Sequence, residues 1–178
     1  MKLPKLILVL SGLLLALTVH AADNEFEAAT RVSVLRSFDD ANGKILRLAG
    51  VFPEDKYGWR PMEGVNSVRE VLEHVAATNY ALAERLGTKP PEGVDRRKLD
   101  AIMQTKADAI AVWQQSAAHV RGVLAAIPAA NLVAEVTVFG AKAPLLRVAL
   151  LPPEHAHEHL GQLIAYARMN QIVPPWSK

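Results

Sequence analysis

The sequence predicts an all-α protein that folds as a four-helix bundle and allows a short hairpin between the third and fourth helices. Four segments carry apolar residues at three- and four-residue steps, which is the spacing of a helix with one buried face. Residues 132–139 instead alternate β-branched and small residues and end at Gly140, as a short strand or hairpin would. Four helices with short to moderate connections in one domain are typical of a bundle.

Residues 1–21 have the pattern of a signal peptide and are set apart from the fold. Lys2 and Lys5 give a basic start, a short apolar run follows them, and Ala21 closes a small-residue cleavage site. An uncleaved membrane anchor is the alternative, although the run is short for a membrane span. We therefore predict a signal peptide at 1–21 and a helical domain at 22–178. The mature protein would be exported, periplasmic or secreted, without stable membrane association after cleavage.

The charge balance gives no indication of a nucleic-acid partner. The full chain has 20 basic and 18 acidic residues, and it has no cysteine. Cleavage after Ala21 would remove two lysines and no acidic residue, which leaves eighteen of each sign in the mature chain. The basic isoelectric point of the precursor is therefore no evidence for nucleic-acid binding. Without cysteines, the core must be held by packing rather than by disulfides.

The first and third helices are predicted from their apolar periodicity. The first spans Asp23 to Phe52 and ends there because a residue that precedes a proline, here Pro53, is disfavoured in helical geometry. The third begins at Leu99 and stops at Pro128. Their core candidates are Phe26, Val34, Leu35, Phe38, Ile45, Leu46 and Leu48 in the first helix, and Leu99, Ile102, Met103, Ile110, Val112, Trp113, Val120, Val123 and Leu124 in the third.

The second and fourth helices are predicted from their start and stop signals. Ser67 and Glu70 have the spacing of a capping box, and Gly87 is placed to end the second helix. Pro144 opens the fourth helical region. The pair Pro152–Pro153 should kink this helix or restart it, since proline lacks the amide hydrogen that a helix interior uses.

The histidines are the candidate functional residues. His155 and His159 are four apart, so on a helix both rings lie on one face and can bind one metal ion at about 2.0–2.1 Å. Such pairs also occur by chance on solvated helices. His74 lies at the edge of the apolar stripe of the second helix, where it is either a hydrogen-bonded core histidine or the missing third ligand. His157 points away from the pair, and His119 has no ligand-type neighbour at metal spacing.

The residues around the pair do not match the HExxH motif of zinc proteases. Ala156 follows the first histidine where that motif has its glutamate, and Glu158 points off the ligand face. Gln162 and Tyr166 could line a pocket, although core packing is the favoured interpretation of both. Three neutral imidazoles suit zinc, nickel, copper or iron better than calcium or magnesium, and they leave a position for water or substrate.

Three motifs together give the chain a resemblance to the DinB-like superfamily of four-helix metal-binding proteins. They are the loop Tyr57-Gly58-Trp59-Arg60-Pro61, the helical pattern His74-Val75-Ala76-x-x-Asn79-Tyr80, and the C-terminal run His155-x-x-Glu158-His159-x-Gly161-Gln162-Leu163-x-x-Tyr166-x-Arg168-x-Asn170, closed by Ile172-Val173-Pro174-Pro175. The resemblance implies a bundle with a long crossover and a metal held by His74, His155 and His159. It also implies that Gly161 lets two helices approach closely, although a small core residue is the alternative.

The function implied by this resemblance is that of a divalent-metal-binding protein, with zinc or nickel favoured. It would act as a metal-dependent hydrolase or transferase on a small molecule, through metal-bound water or thiolate, and it could form a homodimer. No catalytic residue is identified. Export would separate the protein from the cytoplasmic thiols that some relatives use, which disfavours the transferase. The alternative is a non-catalytic metal-binding or interaction protein of the periplasm.

Overall fold

The computed structural model describes residues 5–138 and 140–177, with side chains from residue 25 onward. Within this part the chain forms four α-helices and one hairpin, which confirms the predicted fold class. The helices are α1 (Lys5–Val51), α2 (Val68–Arg85), α3 (Lys106–Ala126) and α4 (Leu145–Met169), and the antiparallel hairpin between α3 and α4 pairs β1 (Glu135–Val138) with β2 (Ala141–Pro144).

The predicted signal peptide falls largely outside this description. Residues 1–4 are not described, and the side chains of the rest of that segment are not described either. In the part of the chain whose side chains are described, no helix combines the length and the hydrophobicity that crossing a membrane requires.

The helices form a closed ring in the order α1, α3, α2, α4. Helices α2 and α3 run in the same direction, because Arg69 contacts the carbonyl of Gln104 near their starts while Asn79 contacts Ser116 further along both. The connection between them, residues 86–105, must therefore return along the length of the bundle. It is the long crossover that the resemblance implied.

Helix α2 begins and ends where its local signals place it. The Glu70 amide donates to Ser67 Oγ at 3.3 Å, and the Ser67 amide donates back to Glu70 Oε2 at 2.6 Å, which completes the capping box. Gly87 has a φ of +94°, a conformation that favours glycine, and it lets the Thr88 amide turn back to bond the carbonyl of Ala83.

The predicted start of the third helix is wrong. Leu99 lies in a short 3₁₀ turn, Leu99–Ala101, and α3 begins only after Thr105, which forms a capping box with Asp108. Leu99 and Met103 are buried as expected, but Ile102 is 55% exposed. The apolar spacing therefore predicted the burial of Leu99 and Met103 correctly, although the backbone of this segment is not an α-helix.

The predicted start of the first helix and a restart of the fourth helix are also wrong. Helix α1 begins upstream of the predicted Asp23, and Phe26, a predicted core residue, is 73% exposed. Helix α4 is not restarted at Pro152 and Pro153, because it continues through both. Both prolines are buried, so tertiary packing holds the flanking turns in place although two helical hydrogen bonds are missing.

Candidate metal centre

The histidines of α4 lie along the edge of its buried face. The residues of that face recur at three- and four-residue steps and pack into the larger of two core clusters. They are Ala156, Leu160, Leu163, Tyr166 and Ala167. This stripe fixes the rotation of α4 about its axis, and it leaves His155 and His159 half-buried beside it.

The structure brings the three predicted histidines together. The Nε2 atom of His155 lies 3.1 Å from that of His74 and 3.1 Å from that of His159. The ligand atoms of all three residues lie within 4.8 Å of one another. A tetrahedral ion with metal–nitrogen bonds of about 2.0–2.1 Å would separate its ligand nitrogens by about 3.3–3.4 Å. Two of the three separations are close to that value, so the donor set fits a metal ion.

The environment favours the neutral imidazole that a metal needs. Burial, and after it the neighbouring His159 and His74, together lower the pKa of His155 to about 4. Burial also lowers the pKa of His74, helped by His159 and opposed by the charge of Glu158. His74 and His155 therefore remain uncharged at neutral pH, with a nitrogen lone pair available to a ligand.

A chain of hydrogen bonds determines which nitrogen of His159 carries its proton. The carbonyl of Asn66 can only accept, so Tyr166 donates its hydroxyl hydrogen there at 2.9 Å. Tyr166 Oη then accepts from Gln162 Nε2 at 2.8 Å, which turns Gln162 Oε1 toward His159 Nδ1 at 2.7 Å. In the neutral ring Nδ1 holds the hydrogen, and Nε2 presents its lone pair to the other two histidines.

The comparisons with known proteins agree with this architecture. The sequence profile of the DinB superfamily matches residues 37–163, which is most of the chain and includes all three histidines. The chain belongs to the DinB superfamily. Its fold is similar to the crystal structure of a DinB-like protein from Bacillus subtilis, with a TM-score of 0.62 and 19% sequence identity over 79% of this chain and 93% of that one. No curated protein sequence matches the chain significantly.

His157 and His119 lie outside this cluster, as the sequence predicts. His157 is exposed and its Nδ1 lies 2.8 Å from the carbonyl of Pro153. His119 is half-buried, with its ring centre 5.5 Å from that of Tyr80. Within the clustered set, His155 Nδ1 is buried without a hydrogen-bond partner in the described part of the chain. Its tautomer is therefore not set by a protein partner, in contrast to that of His159.

Sequence reasoning missed the role of Gln162 and was wrong about Gly161. Gln162 supports the ring of His159, and its signal was the spacing of His159, Gln162 and Tyr166 at three and four residues on one helix face. Gly161 is exposed, and a Cβ added there would meet no atom within 4 Å. It therefore does not let two helices approach closely.

A groove of about 230 Å³ opens beside the histidines, between α2 and α4. It shares His155 with the cluster, and its remaining lining is apolar at the base and acidic at the rim. The lining residues are Thr78, Leu82, Leu151, Glu154, His155 and Glu158.

Proposed function

We propose that this protein binds a divalent transition metal, zinc or nickel, through His74, His155 and His159. We further propose that it acts as a metal-dependent hydrolase or transferase on a small molecule. One observation carries the proposal: three imidazole nitrogens converge, and no fourth histidine, cysteine or carboxylate joins them among the described residues. Catalytic zinc sites have three protein ligands and an open position, whereas structural sites are closed by a fourth. The open arrangement therefore favours an enzyme over a non-catalytic metal-binding protein.

The residues around the cluster support a chemical role. When present, a divalent ion would supply Lewis acidity at this position. Gln162 holds the ring of His159 in the tautomer that can bind the ion, and the groove gives a small molecule access beside His155. His74 is exposed, so the cluster is open to solvent on that side.

The metal assignment is tested by the bound metal per chain in five single variants, each purified and loaded with zinc or nickel in the same way. His74→Ala, His155→Ala and His159→Ala should each lose stoichiometric binding, since two nitrogen ligands remain. His157→Ala and His119→Ala are the matched controls and should bind like the parent. Equal losses in all five, or full occupancy in the first three, would refute the assignment.

The catalytic assignment is tested by a screen of the metal-loaded protein against small esters, amides and thiol adducts. Turnover should be absent from the metal-free parent and from His159→Ala, and it should be retained in His157→Ala. Stoichiometric metal without turnover of any class would favour the non-catalytic alternative.

We also propose that the protein acts outside the cytoplasm, after removal of residues 1–21. The basic start, the short apolar run and the small residue Ala21 support export. The N-terminus of the protein recovered from a periplasmic fraction should be near Ala22 by mass spectrometry. An intact Met1 in a cytoplasmic fraction would contradict export and restore the cytoplasmic thiols as candidate cosubstrates.

A further inference from the structure

The groove leads away from the histidine cluster in a defined direction. On α2, Thr78 and Leu82 follow His74 at successive four-residue steps. On α4, Leu151 precedes His155 by the same interval. The two helices run antiparallel, since His74 faces His155 while the start of α2 lies near the end of α4. The leucines therefore form the far end of the groove: along the helix axes Leu151 lies about 6 Å from His155, and Leu82 lies about 12 Å from His74.

Of the two carboxylates that line the groove, one forms an ion pair among the described residues and the other does not. Glu154, the residue before His155, forms an ion pair with Arg147, with an N–O distance of 2.7 Å. Glu158 lies at the histidine end, close enough to His74 to act on it electrostatically. In the described part of the chain no cation forms an ion pair with Glu158. The groove thus has one uncompensated negative charge, next to the histidines.

We propose that this groove is the substrate site and that it selects a small aliphatic amino-acid derivative. The ammonium group of the ligand pairs with Glu158, its aliphatic side chain lies on Leu82 and Leu151, and its acyl group reaches the histidine cluster. The inference deepens the proposed function and rests on it. The order of the three ligand parts follows from the order of the groove residues: the charge is adjacent to the reacting group, and the apolar part points away from it.

The size of the groove supports a ligand of this class. At about 230 Å³ it is smaller than the roughly 300–1,000 Å³ of cavities that hold drug-sized molecules. The apolar stretch of about 6 Å fits a chain of a few carbon atoms. Because Glu158 is exposed, its attraction for an ammonium group should be modest, about two- to fivefold in affinity at low ionic strength.

The test uses two probes of the same shape that differ in one charge. Norvaline hydroxamic acid carries an ammonium group where 2-methylpentanohydroxamic acid carries a methyl group, and both present a metal-binding hydroxamate and a three-carbon tail. The dissociation constants of both are measured on the zinc-loaded full chain, for the parent, Glu158→Gln and Glu154→Gln. The ratio of the two constants within each protein isolates the ammonium group, because repulsion from the metal is common to all three proteins.

The preference for the ammonium probe, expressed as the ratio of the two dissociation constants, should be about two- to fivefold larger in the parent than in Glu158→Gln. Glu154→Gln should keep the parent's ratio, because Arg147 already compensates the charge of Glu154. Leu151→Ala should weaken both probes alike. A probe ratio that is unchanged in Glu158→Gln, or reduced equally in Glu154→Gln, overturns the groove proposal. The zinc content of the parent, measured in parallel, separates this failure from that of the proposed function: a parent that binds no stoichiometric zinc overturns both.

Discussion

The hydrogen-bond chain that ends on His159 predicts that two substitutions of Gln162 affect zinc affinity differently. Gln162→Met keeps the length of the side chain but removes the oxygen that accepts from His159 Nδ1 at 2.7 Å. The neutral ring of His159 can then carry its hydrogen on Nε2. In that tautomer Nε2 has no lone pair with which to bind the metal. Loss of such a supporting partner lowers metal affinity by about 10–100-fold, or about 1.4–2.7 kcal/mol.

The expected loss is in the lower part of that range. A hydrogen bond between neutral groups contributes about 0.5–1.5 kcal/mol net, which corresponds to about 2- to 13-fold in affinity. His159 is only half-buried, so in the variant a water molecule can accept the hydrogen bond from His159 Nδ1 in place of the Gln162 amide. We therefore expect a loss of about tenfold in Gln162→Met.

Gln162→Glu should have the opposite effect. A carboxylate at the same position accepts from His159 Nδ1 more strongly than an amide does, so zinc affinity should equal or exceed that of the parent. Tyr166→Phe removes the hydroxyl that orients the amide and leaves the accepting oxygen in place. Its loss should be smaller than that of Gln162→Met.

Competition with a chromophoric zinc chelator at pH 7.5 measures the parent, the three variants and His159→Ala on one scale. Circular dichroism checks that each variant retains the helical fold. If the methionine and glutamate variants both bind zinc within about twofold of the parent while His159→Ala loses it, Gln162 does not orient the ring and the reasoning fails.

Two further predictions concern stability. Ser116→Ala leaves the buried amide of Asn79 without its acceptor and should lower the free energy of unfolding by about 1–3 kcal/mol in urea titrations, whereas a change within about 0.5 kcal/mol would contradict the buried pair. The pKa of Glu70 is lowered from its ordinary value near 4.5, first by the backbone amide of Ser67 and then by the Ser67 and Arg60 side chains, so its stabilising contribution is present above that value and is lost as pH falls through the lowered pKa. The difference in unfolding free energy between the parent and Glu70→Gln should therefore narrow below about pH 4.5, and a constant difference from pH 7 to pH 3 would be the opposing result.

Features that depend on neighbours in the chain could be predicted from the sequence. The bounds of α2 follow from Ser67, Glu70 and Gly87, because a capping box and a left-handed glycine act over three or four residues. The same local logic would have placed the start of α3, since Thr105 and Asp108 have capping-box spacing. The prediction used the apolar spacing of Leu99 and Met103 instead, and these residues are buried in a segment that is not an α-helix.

The candidate site could be predicted in part for the same reason. His155 and His159 share a face because four residues make about one turn of a helix. Nothing local to His74 shows that it meets them, since α2 and α4 are separated by the crossover, α3 and the hairpin. That assignment came from the resemblance to a family, and the structure brings the three rings together.

By itself the sequence determined the number of helices, the bounds of α2 and the shared face of the two histidines of α4, since each rests on contacts within about one helical turn. Only the tertiary structure decided the parts that join distant segments. It keeps α4 continuous through Pro152 and Pro153 by packing on both flanking turns, and it brings the carbonyl of Asn66 to Tyr166 across 100 residues of chain. It also sets α2 against α4 so that Glu158 and the leucines share one groove. Local spacing specifies which face of a helix a residue occupies, and the packing of that face against another helix determines what the residue meets.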